Sequence, residues 1–417
     1  MKSEVKYNRS NPSKGLIILL LVMLYTSTDT LIFGTNINNA FLYVPRFMGF
    51  AMFAVALVKW NEKSENYSDF FLLLLMSAII LVSGVINHAL YKTTFSRLIS
   101  VLAAYAITCQ FSQRKFIEIF DDFVFYVSVV AVVVEILTYL APQLVQMFPA
   151  VTNTAKHINY TIFFGATSKD NIGRDFARAS GVFWEPGAYA VYLVLALMFQ
   201  FHYFEQRNKK RTALYILCLV LTFSTTGMIG FAMLILVSTI RKKENANEGK
   251  FLYILLIAML LALYFMGKDT DLYNMIFGKM EDGGNSSAQT RYNALFTGLK
   301  VAWSNPLFGV SSNKMEDMMT QLRNNAMFAS SSNSNTNTIS YYLAAFGIPF
   351  GSFLIFGTYK MMYKISKSYI VAAGLFATLF LLYCGEMFYS FLPFTLMFYG
   401  FRKENDLYEN SVTEHTS

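Results

Sequence analysis

This 417-residue chain is poor in the residues that build most soluble active sites. It has only three cysteines, Cys109, Cys218 and Cys384. Each lies in or beside an apolar run and none has a C-x-x-C partner, which argues against a disulfide framework or a thiolate metal site. The four histidines, His88, His157, His202 and His415, are scattered, so no H-E-x-x-H or His-rich metal site forms. Charged residues make up only 14% of the chain, too few for the surface of a soluble protein of this length. No G-x-x-x-x-G-K-[ST] and no G-x-G-x-x-G follows a strand, which excludes ATP hydrolysis and speaks against a nucleotide-sugar site on the inner side. Neither an internal repeat nor a low-complexity tract occurs.

What is abundant is apolar. Hydrophobic residues reach 55%, with 40 Phe and 26 Tyr, and runs near bilayer-spanning length recur from end to end. The chain is expected to be an all-α polytopic membrane protein forming a single membrane domain over 1–417. About twelve spans, with ten to fourteen as the bracket, fall near 15–33, 40–58, 70–87, 98–111, 120–140, 187–204, 212–225, 227–240, 251–267, 339–358, 369–384 and 388–401. Two long polar segments remain, 142–186 and 268–338.

Charge sets the orientation. The net charge of +8 could suggest nucleic acid, but the basic residues sit in short loops, where they orient helices. No nucleic-acid partner is expected. The stretch LYILCLVLTFSTTGMIGFAMLILV is flanked by EQRNKKR and RKKENANEGK. Both flanks are basic and therefore cytoplasmic, so the chain must cross twice, with STTG near the outer face. The N-terminus looks like a signal peptide without a small-x-small cleavage site and reads as an uncleaved first helix. Both termini, including the tail 402–417, are then cytoplasmic, and both long segments are extracytoplasmic. The inner connectors are about ten residues each, too short for a catalytic domain. Chemistry or recognition belongs to the outer face.

Candidate chemistry begins with RASGVFWEPGAYA, where the second span cluster opens. Pro186 suits the first turn of a helix and Glu185 the positive end of its dipole. The same Glu185, at a partly apolar boundary, could have a raised pKa and act as a base. Arg178 lies at the same level and could grip an anion bidentately, and Arg174 is a nearby second candidate. In the second large segment, TRYNALFTGLKVAWSNPLFGV reads as an amphipathic helix opened by Arg291 and stopped at Asn305-Pro306. A lone Arg there also suits a snorkelling role. Asn335, Thr336 and Asn337 stand at a helix N-cap, which can cap the helix or bind phosphate. Arg46, in FLYVPRFMGFAM, either snorkels to headgroups or reaches a lipid-linked phosphate. Glu135 and Glu386 carry less weight. Asp269 and Asp271 form a D-x-D that reads as a solvated loop.

Together these elements resemble the O-antigen polymerase and ligase superfamily (Wzy-like and WaaL-like proteins), and within it the polymerase family. RASGVFWEPGAYA is similar to the R-x-S-G-x-F-x-E-P element that opens a span after an outer loop. A short-span pair with an S/T-G break follows, here TFSTTGMIG. Arg291 then precedes a W-x-x-P-x-x-G-like element, here WSNPLFG. Last is a polar-to-apolar junction with a Gly about ten residues in, here TNTISYYLAAFG. The likeness covers about 165–355 in motifs and the whole chain in topology.

The resemblance implies a GT-C-type membrane glycosyltransferase in a bacterial inner membrane. Its substrates would be undecaprenyl-pyrophosphate-linked oligosaccharides at the outer leaflet, its reaction polymerisation of repeat units for O antigen or capsule. A ligase acting on lipid A-core is the alternative, and a transporter or flippase of lipid-linked sugars the second. By motif, Glu185, Arg178 and Arg291 would be catalytic. Arg46, Arg174, Thr336 and Asn337 would bind the lipid pyrophosphate or sugar. Thr336 departs from the family's His-Asn junction, and since ligases usually keep that His, the departure favours a polymerase. No cofactor and no metal is expected. A polysaccharide chain-length regulator is a candidate partner beside the membrane lipid.

Overall fold

The structure, a computed structural model, describes residues 12–37, 40–58, 67–89, 91–153, 156–162, 164–173, 177–241, 287–324 and 337–402. Helix starts follow from local side-chain chemistry. Oxygens of Ser13, Ser112, Asn208 and Asn337 each accept from the backbone N–H three residues on, at 3.4, 3.2, 3.2 and 2.8 Å, satisfying donors that a helix start leaves orphaned.

Helix α1 (Lys14–Tyr25) is shorter than the expected span 15–33. After Tyr25 the chain turns, then winds into a π-helical turn at Leu31–Thr35. The cause is a run of short polar side chains that compete with the helix ladder. Ser27 Oγ accepts from the Asp29 N–H at 3.3 Å, and the Thr30 hydroxyl donates to the Ser27 carbonyl at 2.9 Å. Helices α2 (Val44–Val58), α3 (Tyr67–Ile86), α4 (Tyr91–Gln110) and α5 (Gln113–Leu140) follow, then the single turn α6 (Pro142–Val145).

The first polar segment departs from the all-α expectation. It forms an antiparallel sheet of β1 (Ala150–Thr152), β2 (Ile158–Ile162) and β3 (Gly165–Ser168), in that spatial order. Strands of three to five residues are too short to display a period of two, so the polar segment hid them. Bridges Thr30–Phe183 and Asn36–Asn153 tie this segment to the turn after α1.

Helix α7 (Pro186–His202) is buried on every side, as its lack of a polar stripe demands. The stretch with basic flanks folds as two helices, α8 (Lys209–Leu221) and α9 (Thr225–Arg241). The reversal falls at Thr222–Ser224, where Phe223 adopts φ 46° and the Thr222 hydroxyl closes on the Leu219 carbonyl at 2.7 Å. At the end of the bundle away from that turn, Arg211 pairs with Asp121 at 2.5 Å and Asp122 at 2.7 Å. Gln200 and Tyr215 also donate to Asp121, at 2.9 and 3.0 Å, which locks α5, α7 and α8 through one buried carboxylate.

The amphipathic helix forms as expected, as α10 (Ser287–Ser304), and stops before Asn305-Pro306. It is followed by α11 (Ser311–Asn324). The expected single span 339–358 is broken into α12 (Thr338–Phe346) and α13 (Ile348–Ser366). Gly347, at φ 91°, makes the break, and a Cβ there would strike the Leu307 and Pro306 carbonyls. The Ile348 N–H donates to Pro306 at 2.7 Å, so the turn after α10 is seated in the break. Helices α14 (Tyr369–Gly385) and α15 (Leu392–Phe401) complete the bundle.

Among the described residues, three helical stretches are long and apolar enough to cross a membrane: Phe41–Val58, Asp69–Ile86 and Gln113–Leu140. Five shorter apolar helices accompany them, among them α7, α14 and α15. The chain is a mostly helical, polytopic membrane protein. The expected span 251–267 and the Asp269–Asp271 pair lie outside the described residues.

Candidate active site

Glu185 stands at the N-cap of α7 in extended conformation, but its side chain makes no capping hydrogen bond. Its carboxyl is instead hydrogen-bonded to that of Glu386, in the connector between α14 and α15. The residue starts the helix through its backbone, and its side chain faces Glu386 instead of the helix.

Glu386 is 1% exposed, and Arg291 Nη2 approaches its Oε1 at 3.3 Å. Arg291 Nη1 also donates to the Thr226 hydroxyl at 2.5 Å, which pins the start of α10 against the start of α9. Burial pushes the Glu386 carboxyl well above the ordinary glutamate value of 4.5, and the neighbouring Glu185 adds to the effect. Arg291 and Arg178 pull the other way without overcoming it. Burial and the neighbouring carboxyl thus both favour the neutral form of Glu386.

Arg178 reaches the same place from the first polar segment. Its Nε donates to the Thr222 carbonyl at 3.1 Å and its Nη2 to the Phe223 carbonyl at 3.3 Å. The Ala179 N–H donates to Leu221 at 2.9 Å beside it. Two arginines and two carboxyls, from three separate parts of the sequence, converge at one end of the bundle.

The junction before α12 supports the pair from behind. Asn337 caps α12, and the Thr338 hydroxyl donates to the Glu386 carbonyl at 2.6 Å while accepting from the Phe388 N–H at 3.0 Å. Of the other expected residues, Arg174 and Thr336 lie outside the described residues. Arg46 stands apart from this cluster, over the Tyr43 ring at 5.3 Å. Glu386 carried little weight in the sequence, yet it lies at the centre. The signal was present: an isolated acid in LLYCGEMFYSF, between two apolar runs, is a functional candidate by default. Among the described residues, no three His, Cys, Asp or Glu side chains gather in a way that would hold a metal ion.

Gly187 makes the carboxyl pair possible. A Cβ on it would overlap the Glu386 carboxylate. Gly187→Ala is expected to displace Glu386, to cost ~1–3 kcal/mol of stability through overpacking, and to lower turnover. Thermal unfolding in detergent, run beside an activity assay, checks both effects.

A family model described as O-antigen ligase matches residues 212–356. Over that segment the chain is similar to the O-antigen polymerase and ligase superfamily. No curated protein and no solved structure matches it. The likeness supports an enzyme of glycan transfer, with lipid-linked polysaccharide as the general kind of substrate. The matched segment supplies Thr226, Arg291, Asn337 and Thr338. Arg178 and Glu185 reach this superfamily core from before it, and Glu386 from after it.

Proposed function

We propose that the chain is a polymerase of undecaprenyl-pyrophosphate-linked oligosaccharide repeat units, working without a metal at the outer leaflet of a bacterial inner membrane. The observation that carries this reading is the meeting of Glu185, Glu386, Arg178 and Arg291 at one end of the bundle. An acceptor sugar hydroxyl attacks the anomeric carbon of the growing chain. The new C–O bond forms as the bond to the donor diphosphate breaks, through an oxocarbenium-like state. Glu185 takes the hydroxyl proton, and the diphosphate leaves with the bonding electron pair. Arg178 and Arg291 stabilise the charge that develops on it. The diphosphate bond is itself the energy source, in keeping with a chain that lacks a nucleotide motif. Orientation follows the basic loops, with both termini cytoplasmic, and a chain-length regulator is a candidate partner.

A ligase is favoured by one observation, the likeness of residues 212–356 to an O-antigen ligase family. Thr336, where ligases usually carry His, supports the polymerase instead. Purified protein given lipid-linked repeat units alone separates the readings: a polymerase makes oligomers in detergent, whereas a ligase or a flippase makes none. In a deletion strain, single repeat units on the lipid A-core mark a lost polymerase. A bare core with long polymer on the carrier marks a lost ligase.

A further inference from the structure

A polymerase handles two lipid diphosphates at once. The donor's departs, and the acceptor's stays attached to its sugar. The cluster described so far offers one pair of arginines. A second pair stands nearby and has no part in it.

Arg46 opens α2, and Arg97 lies near the start of α4. The two lie close enough for their charges to repel. Between α1, α2, α4 and the connector after α14 is a small cavity that is partly open to the outside. Its polar lining is Ser27, Thr28, Arg46, Ser96, Ser100 and Ser390, and Arg97 follows Ser96 directly. Arg46 Nε is buried without a hydrogen-bond partner among the described residues. A buried donor of this kind is costly unless a ligand meets it. Arg97 is held by aromatic faces, over Tyr389 at 3.8 Å and Tyr341 at 5.8 Å. Asp29 is an acid near Arg97, and its carboxylate already accepts from the Tyr192 hydroxyl at 2.7 Å. The cavity therefore carries surplus positive charge, hydroxyl donors and an unspent guanidinium N–H. These are the requirements of a phosphate. On α2, Phe47 and Phe50 are exposed, an apolar strip beside the cavity along which an isoprenoid tail can lie.

The two arginine pairs are joined by shared elements. Tyr389, under Arg97, belongs to the connector that carries Glu386. Tyr341 lies one turn after Thr338, whose hydroxyl holds the Glu386 backbone.

We propose that the Arg46–Arg97 cavity is a second diphosphate site, which grips the retained diphosphate of the lipid-linked acceptor while Arg178 and Arg291 face the departing diphosphate of the donor. The inference rests on the polymerase reading. The two sites differ in kind: one stabilises a transition state, the other only positions a substrate.

The test uses full-length protein in lipid nanodiscs with a lipid-linked donor and two labelled acceptors. One acceptor is the lipid-diphosphate repeat unit, the other the free oligosaccharide with no diphosphate. For Arg46→Met, the KM for the lipid-linked acceptor is expected to rise about tenfold or more, the size of one lost charge-assisted hydrogen bond, with kcat nearly unchanged. Transfer to the free oligosaccharide should match wild type, and Arg46→Lys should recover part of the loss. Equal losses on both acceptors, or none on either, overturn the proposal. The comparison is repeated with and without phosphatidylglycerol. An Arg46 effect confined to the phosphatidylglycerol discs assigns the cavity to bulk phospholipid and overturns the proposal as well. A wild type that makes no oligomer overturns the polymerase reading itself, and the two failures are told apart.

Discussion

Glu185→Gln is expected to reduce polymer formation by ~10²–10⁴-fold while the protein stays folded, because it removes the proposed base and keeps the shape of the carboxyl. Glu386→Gln should be far milder, since burial favours the neutral form of Glu386 and glutamine imitates that form. The asymmetry is the decisive part. Equal losses in both variants, measured as oligomer formed per minute from purified lipid-linked units, would falsify the assignment of the proton to Glu386. Stability carries a second signature. The Glu386 carboxyl is raised by burial and by Glu185. Its proton therefore stabilises the fold fully below the ordinary value of 4.5, and that stabilisation is lost as pH climbs through the raised value. Wild-type melting temperature should fall across that window, and the Glu386→Gln protein should melt with a flatter pH dependence.

Arg291→Ala should cost ~10²–10³-fold in kcat with little change in melting temperature. Such a split is unusual for an arginine paired with a buried acid, where removing one partner ordinarily strands a charge. Here burial favours the neutral form of Glu386, so loss of Arg291 strands little charge. Lysine at this position restores the charge but not the two-pronged contact with Thr226 and Glu386, and should recover only part of the rate. A large drop in melting temperature for Arg291→Ala, with kcat preserved in the folded fraction, would mark Arg291 as a strut and remove it from the chemistry.

The parts of this architecture legible in the sequence are those governed by local rules. Pro186 after an acid marked the start of α7, Asn305-Pro306 marked the end of α10, and the STTG stretch marked a change of helix. Arg178, Glu185 and Arg291 were singled out from motif order, and they do meet. Glu386 was undervalued because its importance is entirely tertiary: it follows Arg291 by 95 positions and becomes central only when α14 packs beside α7 and α9. The breaks after Tyr25 and at Gly347 were missed for a related reason. Hydropathy averages over a window, whereas a helix ends on one hydroxyl or one glycine. The sheet in the first polar segment was invisible because strands so short carry no periodicity.

The contact between Arg178 and the end of α8 has a bearing on how this protein will look to genetics. The last carbonyls of a helix need donors, and Thr222 and Phe223 receive theirs from a guanidinium lying 44 and 45 positions earlier in the chain. One side chain thus seals a helix end and, in the proposed reaction, lends charge to the leaving diphosphate. A screen that scores only lost surface glycan will rank Arg178 with Glu185 and Arg291, although a good share of its defect will be unfolded protein. Abundance in the membrane, measured variant by variant, is the quantity that will separate the residue that closes the scaffold from those that turn over the sugar.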